Sequence, residues 1–247
     1  SEIFVPQSFK LIHYTGQKQL ESEHIWHDVP ERNDLGDFLL SYFLNPVSER
    51  SPLIILGQPG SGKSLLTSML AARLLVSSYT PIRLELRNIN AEADIKTQIT
   101  EQINEVIGRR LDWGTLCDRF EQRPGLILFD GYDELLQASG QIFTAYLRDV
   151  AQFQIEQIMA KRSPVRTIVT SRMNLIDKAD IPPDATILRL LDFDETKQEC
   201  WINTWNKVNA SYFQQTNVKP LAIPENNKEI KELAGQPLLL LMLALYD

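Results

Sequence analysis

The apolar residues of this chain fall into two alternating kinds of pattern. Short apolar runs at Pro52-Leu53-Ile54-Ile55-Leu56, Leu126-Ile127-Leu128-Phe129, Thr167-Ile168-Val169-Thr170 and Ile187-Leu188-Arg189-Leu190 suit strands covered on both faces of a parallel sheet. Ile82-Arg83-Leu84-Glu85-Leu86 alternates apolar and polar positions instead, which fits a strand near a sheet edge. Between these runs the apolar positions recur at helical spacing. Asp34 to Asn45 carries Leu35, Phe38, Leu39, Tyr42 and Phe43 on one face, and Leu65, Leu66, Met69, Leu70, Arg73 and Leu74 form the next stripe. Helices are predicted at roughly 92–109 and 112–122, and a long one from about 140 to 161 with Phe143, Tyr146, Leu147, Val150, Phe153 and Ile158. Residues 1–33 read as irregular apart from a short strand at Ile3–Val5. From Asp194 the pattern is wholly helical, and Trp201 and Trp205, one turn apart, read as a core stripe rather than a binding surface.

Strands that alternate with helices predict an α/β fold of three layers around a central, mostly parallel sheet, followed by a small C-terminal helical bundle. Ligands of such sheets sit at the carboxyl ends of the strands. Gly57, Asp130 and Ser171-Arg172 all occupy strand ends, so they are expected to converge on one site.

At the first of these ends stands a complete phosphate loop, Gly57-Gln58-Pro59-Gly60-Ser61-Gly62-Lys63-Ser64, between the strand at 52–56 and the helix that opens near Leu65. Its glycines let successive backbone N–H groups turn towards phosphate oxygens, and the helix N-terminus adds its dipole. Lys63 would reach the β- and γ-phosphates, and the Ser64 hydroxyl would hold Mg²⁺. The competing reading, a Gly-rich turn with a chance Lys-Ser, leaves the strand–loop–helix order unexplained.

Asp130 closes an apolar strand and opens Asp130-Gly131-Tyr132-Asp133-Glu134. An acid at that point holds Mg²⁺, usually through a bound water, and a second acid can orient or deprotonate the attacking water. Asp133 and Glu134 are equal candidates for that second role; the bland alternative is a solvated acidic turn. Arg172, at the end of Thr170-Ser171-Arg172, could report the γ-phosphate and stabilise charge as it is cleaved, or make a surface salt bridge.

Composition narrows the class without changing it. Over 247 residues, 43% are hydrophobic and 23% charged, ordinary values for a globular protein with a sizeable core. The net charge of −7 makes nucleic acid an unlikely partner of this stretch, because nonspecific binding needs a basic surface. Cys117 and Cys200, the 2 cysteines, have no paired spacing and read as reduced thiols, so a cytoplasmic location is expected. His13, His24 and His27 lack a nearby soft ligand to complete a zinc site. The longest apolar stretch, Pro237 to Tyr246, is too short to span a bilayer, and no signal peptide is evident. Because the chain starts at Ser1 and stops directly after that apolar helix, it is expected to be a piece of a longer protein.

These pieces together resemble the NACHT family of STAND-class P-loop ATPases. The most specific match is Leu126 through Leu135, LILFDGYDEL, where the family puts a small residue after the magnesium aspartate and further acids just downstream; AAA+ ATPases would show glutamate at position 131. TIVTSR is similar to the family's sensor 1 segment, with Arg172 in the arginine position. Gly235-Gln236-Pro237 is similar to the motif whose proline packs on adenine, and Ile3-Phe4-Val5-Pro6 to the segment that precedes many NACHT domains.

The resemblance implies a Mg²⁺-dependent, slow ATPase. Gly57 through Leu65 and Pro237 would hold ATP or ADP, Ser64 and Asp130 the metal, and Lys63, Asp133, Glu134 and Arg172 the catalytic positions. It implies three parts, a lead-in with its helix at 1–45, the nucleotide-binding α/β domain at 46–193, and the start of a helical domain at 194–247 that continues beyond the chain. It also implies a switch in innate immunity or antiviral defence, closed with ADP and assembling through its NACHT domains with ATP, under effector and sensor domains of the same longer chain. The family's winged-helix histidine, which contacts ADP, would lie outside this chain. Three alternatives stand beside the switch. A small-molecule kinase would need an acceptor pocket and an Arg-rich lid, for which Arg109, Arg110, Arg119 and Arg123 are candidates. A GTP-binding protein would carry Asn-Lys-x-Asp, but Asn206-Lys207-Val208-Asn209 lacks the aspartate. A nucleotide-pinned scaffold would hydrolyse negligibly.

Overall fold

The computed structural model describes residues 3–16, 19–74, 79–138, 143–160, 162, 164–224 and 227–246, without the side chains of Leu74, Gln137 and Ala138. In chain order the first elements are β1 (Phe9–His13), α1 (Glu23–His27), α2 (Leu35–Leu44), β2 (Leu53–Gly57), α3 (Lys63–Leu74) and β3 (Thr80–Glu85). Next come α4 (Ile95–Ile107), α5 (Trp113–Gln122), β4 (Gly125–Asp130), α6 (Tyr132–Ala138), α7 (Tyr146–Met159) and β5 (Val165–Arg172). The chain continues with α8 (Met173–Ile176), β6 (Thr186–Leu190), α9 (Glu195–Val208), α10 (Ala210–Thr216), α11 (Lys228–Ala234) and α12 (Pro237–Tyr246).

The strands form one six-stranded sheet in the order β1-β6-β2-β5-β4-β3. Every neighbouring pair is parallel except β1 with β6, so the fold is α/β as the alternation of patterns implies. Side chains of a strand point to opposite faces in turn, and each face has its own core. Ile54, Leu56, Ile127 and Phe129 pack under α4, α5 and α7; Leu53, Ile55, Leu126 and Leu128 pack under α2 and α3. A third cluster, Phe193, Trp201, Leu221, Ala234 and Leu240, belongs to the helices after β6 and the segments that join them. Helix starts are fixed locally. Asp94, Asp112 and Asp194 accept the backbone N–H of Thr97, Thr115 and Lys197 at 3.0, 2.8 and 2.8 Å, which satisfies first-turn donors that have no partner within the helix.

Several expectations need correction. No strand forms at Ile3–Val5: Ile3 and Val5 are apolar because they pack against the bundle of α9–α12, and the strand of this region is β1, paired to β6. Residues 1–33 also hold α1, whose Trp26 is buried. The long helix begins only at Tyr146, because Phe143–Ala145 make a turn in which Tyr146 N–H donates to Phe143 O at 3.2 Å. The predicted helical residues 140–142 and 161, like the Leu74 side chain, lie outside the described residues. The acidic segment after Asp130 is a helix, α6, and not merely a turn. The stretch after Asp194 is not wholly helical either, since the chain from Val218 to Pro224 is irregular. Asn206 fastens it by exchanging two hydrogen bonds with the backbone of Leu221, at 2.9 and 3.0 Å.

Candidate functional site

β2 delivers Gly57 to the carboxyl edge of the sheet opposite Arg172. The loop then doubles back so tightly that a Cβ on Gly57 would lie 2.5 Å from Ser61 Oγ. Gly60 and Gly62 take φ of 78° and 87°, a region that side-chain-bearing residues avoid. Lys63 is the first residue of α3, and its ammonium donates to Gly57 O at 2.9 Å and Gln58 O at 3.0 Å. Burial pushes the Lys63 amine below its usual range, and the nearby Asp133 carboxylate opposes that shift. Ser64 stands exposed on the first turn of α3. Ser61 Oγ is buried without a hydrogen-bond partner among the described residues.

The acids take distinct positions. Asp130, 6% exposed, accepts from the Thr170 hydroxyl at 2.6 Å and from Arg83 Nη2 at 2.5 Å. Thr170 Oγ1 also accepts the Gly131 N–H at 2.9 Å, which ties the ends of β4 and β5 together. Gly131 turns the chain with φ of 89°, and α6 follows. Asp133 faces β5: its Oδ1 accepts Arg172 N–H at 3.1 Å and its Oδ2 pairs with Arg172 Nε at 2.8 Å. With the Asp133 side chain 4% exposed and that of Arg172 35%, the carboxylate is a buried anchor and the guanidinium its half-buried partner. The Glu134 carboxylate is half-buried and has no hydrogen-bond partner among the described residues.

Lys63, Ser64, the three acids, Thr170 and Arg172 face one cavity of about 710 Å³. One wall is the phosphate loop and α3, through Pro59, Gly60, Gly62, Lys63, Ser64 and Leu65; the floor is Asp130, Gly131, Asp133, Glu134, Thr170 and Arg172. The opposite wall comes from the helical bundle and the lead-in, through Phe193, Trp201, Trp205, Pro237, Leu238, Leu241 and Ile3–Val5. The walls touch where Leu238 N–H, in the first turn of α12, donates to Gly60 O at 3.2 Å. Gly57, Gln58 and Ser61 do not line the cavity; Gly57 and Ser61 are buried in the bend and Gln58 is exposed beside it.

Trp201 and Trp205 form the core stripe expected of them and also border the cavity. They stack at 5.3 Å with 12° between ring planes inside the bundle core, and the same rings form cavity wall. Periodicity along α9 shows a buried stripe but not what the stripe faces. Sequence reasoning also missed Thr170, Arg83, Gln7 and Leu238. Thr170 had a signal, as the last hydroxyl before Ser171-Arg172 on a strand beside that of Asp130. Gln7, 6% exposed, holds Leu191 O at 3.0 Å and sits against Gly62, a contact between distant segments that no local pattern encodes.

The residues suit a magnesium nucleotide. Mg²⁺ is generally held by few protein groups together with phosphates and water. A hydroxyl at Ser64 and a carboxylate at Asp130 on one cavity match that donor set, and no cluster of His, Cys, Asp and Glu able to cage a metal alone occurs among the described residues.

A loop of this form between β2 and α3, on a mostly parallel sheet with an acid at the end of β4, defines a nucleotide-binding P-loop NTPase module. The NACHT domain family matches residues 51–207, and the chain belongs to that family. Among solved structures it is similar to C. elegans PCH-2, at 18% identity over 89% of this chain and 57% of that one, with a TM-score of 0.40. It is similar also to Cdc6p of Pyrobaculum aerophilum (13% identity, 81% and 54% covered, TM-score 0.46). The ORC2 protein of Aeropyrum pernix, in ADPNP–ADP complexes, is a third (12%, 72% and 52%, TM-score 0.45). The chain thus spans little more than half the length of these structures. No curated protein matches it. Among the described residues no helix is long and apolar enough to cross a membrane.

Proposed function

We propose that this chain is an ATP-binding, Mg²⁺-dependent ATPase switch, in which the bound nucleotide decides whether the helical bundle stays closed on the α/β domain. The observation that carries this reading is the composition of the cavity. Its phosphate end belongs to the sheet and α3, its apolar end to the bundle and the lead-in. A ligand filling both ends has contacts that exist only when the two walls meet, which is what a two-state switch requires. Lys63 would neutralise the β- and γ-phosphates, Ser64 and Asp130 would hold the metal, and Pro237 would pack on the base. Arg172, held by Asp133, would stabilise charge on the γ-phosphate. Glu134 is favoured over Asp133 for activating water, because the Asp133 carboxylate is committed to Arg172.

In this reading self-association through NACHT domains follows the exchange of ADP for ATP, and effector and sensor segments of a longer chain supply output and trigger. The kinase alternative is weaker: Arg109, Arg110, Arg119 and Arg123 do not line the cavity. The guanine alternative fails on Asn206, whose amide is spent on Leu221. Calorimetry with Lys63→Ala, beside light scattering of the unsubstituted chain in ATP and in ADP, tests the proposal. Expected are a loss of triphosphate affinity of at least tenfold in the variant and a larger particle in ATP than in ADP. Unchanged affinity would overturn the phosphate-loop role, and equal particle size the switch.

A further inference from the structure

Both oxygens of the Asp130 carboxylate are engaged, Oδ1 by Thr170 and Oδ2 by Arg83. Arg83 reaches it from the neighbouring strand, where the register Arg83↔Leu128 and Glu85↔Asp130 places the arginine two residues back on the same face. The same guanidinium gives Nη1 to Glu85 Oε1 at 2.8 Å and Nε to Thr67 Oγ1 at 3.1 Å. Thr67 is fully buried on α3, one turn beyond Lys63. Arg83 is therefore fastened between the phosphate-loop helix, the edge strand and the acid at the end of β4. Glu85 is shared with Arg87 at 2.8 Å, and the hydrogen bonds from Arg83 and Arg87 hold its carboxyl below the usual range.

The guanidinium fork brings a full positive charge and spans two carboxylates, giving Nη2 to Asp130 and Nη1 to Glu85. A divalent cation approaching Asp130 meets that charge and finds Oδ2 taken. The pair has a built-in exit, because Arg83 keeps Glu85 as a partner when Asp130 turns away. We propose that Arg83 is a positioning residue that competes with the divalent cation for Asp130, so that parting the Arg83–Asp130 pair is a step in metal loading and sets how tightly the metal is held. The inference rests on the reading above that Asp130 serves the cation.

The test is the affinity for a non-hydrolysable ATP analogue, measured by calorimetry in excess Mg²⁺ and again in chelator; the ratio reports the contribution of the metal. Arg83→Lys keeps the charge and removes the fork, and is expected to raise the ratio about tenfold, with Arg83→Met raising it further. Glu85→Gln removes the competing seat for the guanidinium and is expected to lower it. If Arg83→Lys matches the unsubstituted chain, only net charge matters and the competition is refuted. Should Arg83→Met fail to fold, the opposite shifts of Arg83→Lys and Glu85→Gln still decide the matter. Asp130→Asn separates the two readings. A ratio unchanged by Asp130→Asn sinks the metal role of Asp130 itself; a ratio collapsed by Asp130→Asn but indifferent to Arg83→Lys sinks only the competition.

Discussion

Asp133 and Glu134 are adjacent in sequence and opposite in situation. Both border the cavity, but Asp133 is buried and spends both oxygens on Arg172, whereas the Glu134 carboxylate has no hydrogen-bond partner among the described residues. Glu134→Gln is therefore expected to leave nucleotide affinity intact and to slow turnover by about 10²–10⁴-fold, the usual range for losing a general base. Asp133→Asn should act differently, weakening ATP more than ADP because Arg172 loses its anchor; steady-state turnover together with binding of both nucleotides separates the two. If Asp133→Asn slows turnover and Glu134→Gln does not, the roles are exchanged. Sequence alone left these two acids equal, since both follow Asp130 on what reads as one acidic run. The missing information was partnership: both acids border the cavity, but only Asp133 meets Arg172 on β5. Glycine suits position 131 because its φ of 89° is a backbone conformation that side-chain-bearing residues avoid.

At the scale of elements, legibility followed the strength of local pattern. β2, β4 and β5 are apolar runs covered on both faces, and their positions were evident; β1 was not, because an edge strand with the burial sequence of Phe9-Lys10-Leu11-Ile12-His13 has no clean alternation. Helix starts owe much to aspartate caps, and these make the stability of the fold sensitive to acid. Hydrogen bonds from the Thr97 N–H and hydroxyl hold the Asp94 carboxyl below its usual range, and the Lys197 side chain and N–H do the same for Asp194. A carboxyl whose folded pKa lies below its unfolded value contributes stability that is present above the unfolded value, near 4, and is lost as pH falls through the folded one. Thermal unfolding should accordingly move to lower temperature as pH is taken from about 5 to 3. Asp94→Ala, which removes the cap of α4, should cost about 1 kcal/mol at neutral pH in urea unfolding. A neutral-pH cost near zero would mean that α4 is held by packing alone.

For the whole molecule, the decisive contact joins elements from distant parts of the chain. The Leu238 N–H sits in the first turn of α12, where amides have no partner within the helix, yet it is bonded to Gly60 O across the cavity. Hydrogen–deuterium exchange should find this amide protected and, on the proposed reading, more protected with ADP bound than with ATP; rapid exchange in every condition would show that the two walls are not in contact in solution. The resemblance placed Pro237 and the phosphate loop on one nucleotide, but the direct bond between Leu238 and Gly60 was not legible, since Gly60 belongs to a loop motif and Leu238 to a run of leucines. Coupling between two sites is reciprocal in free energy. If ADP favours the closed bundle, as proposed, any partner that prefers α12 lifted from Gly60 must therefore loosen ADP by the same factor with which ADP resists that partner.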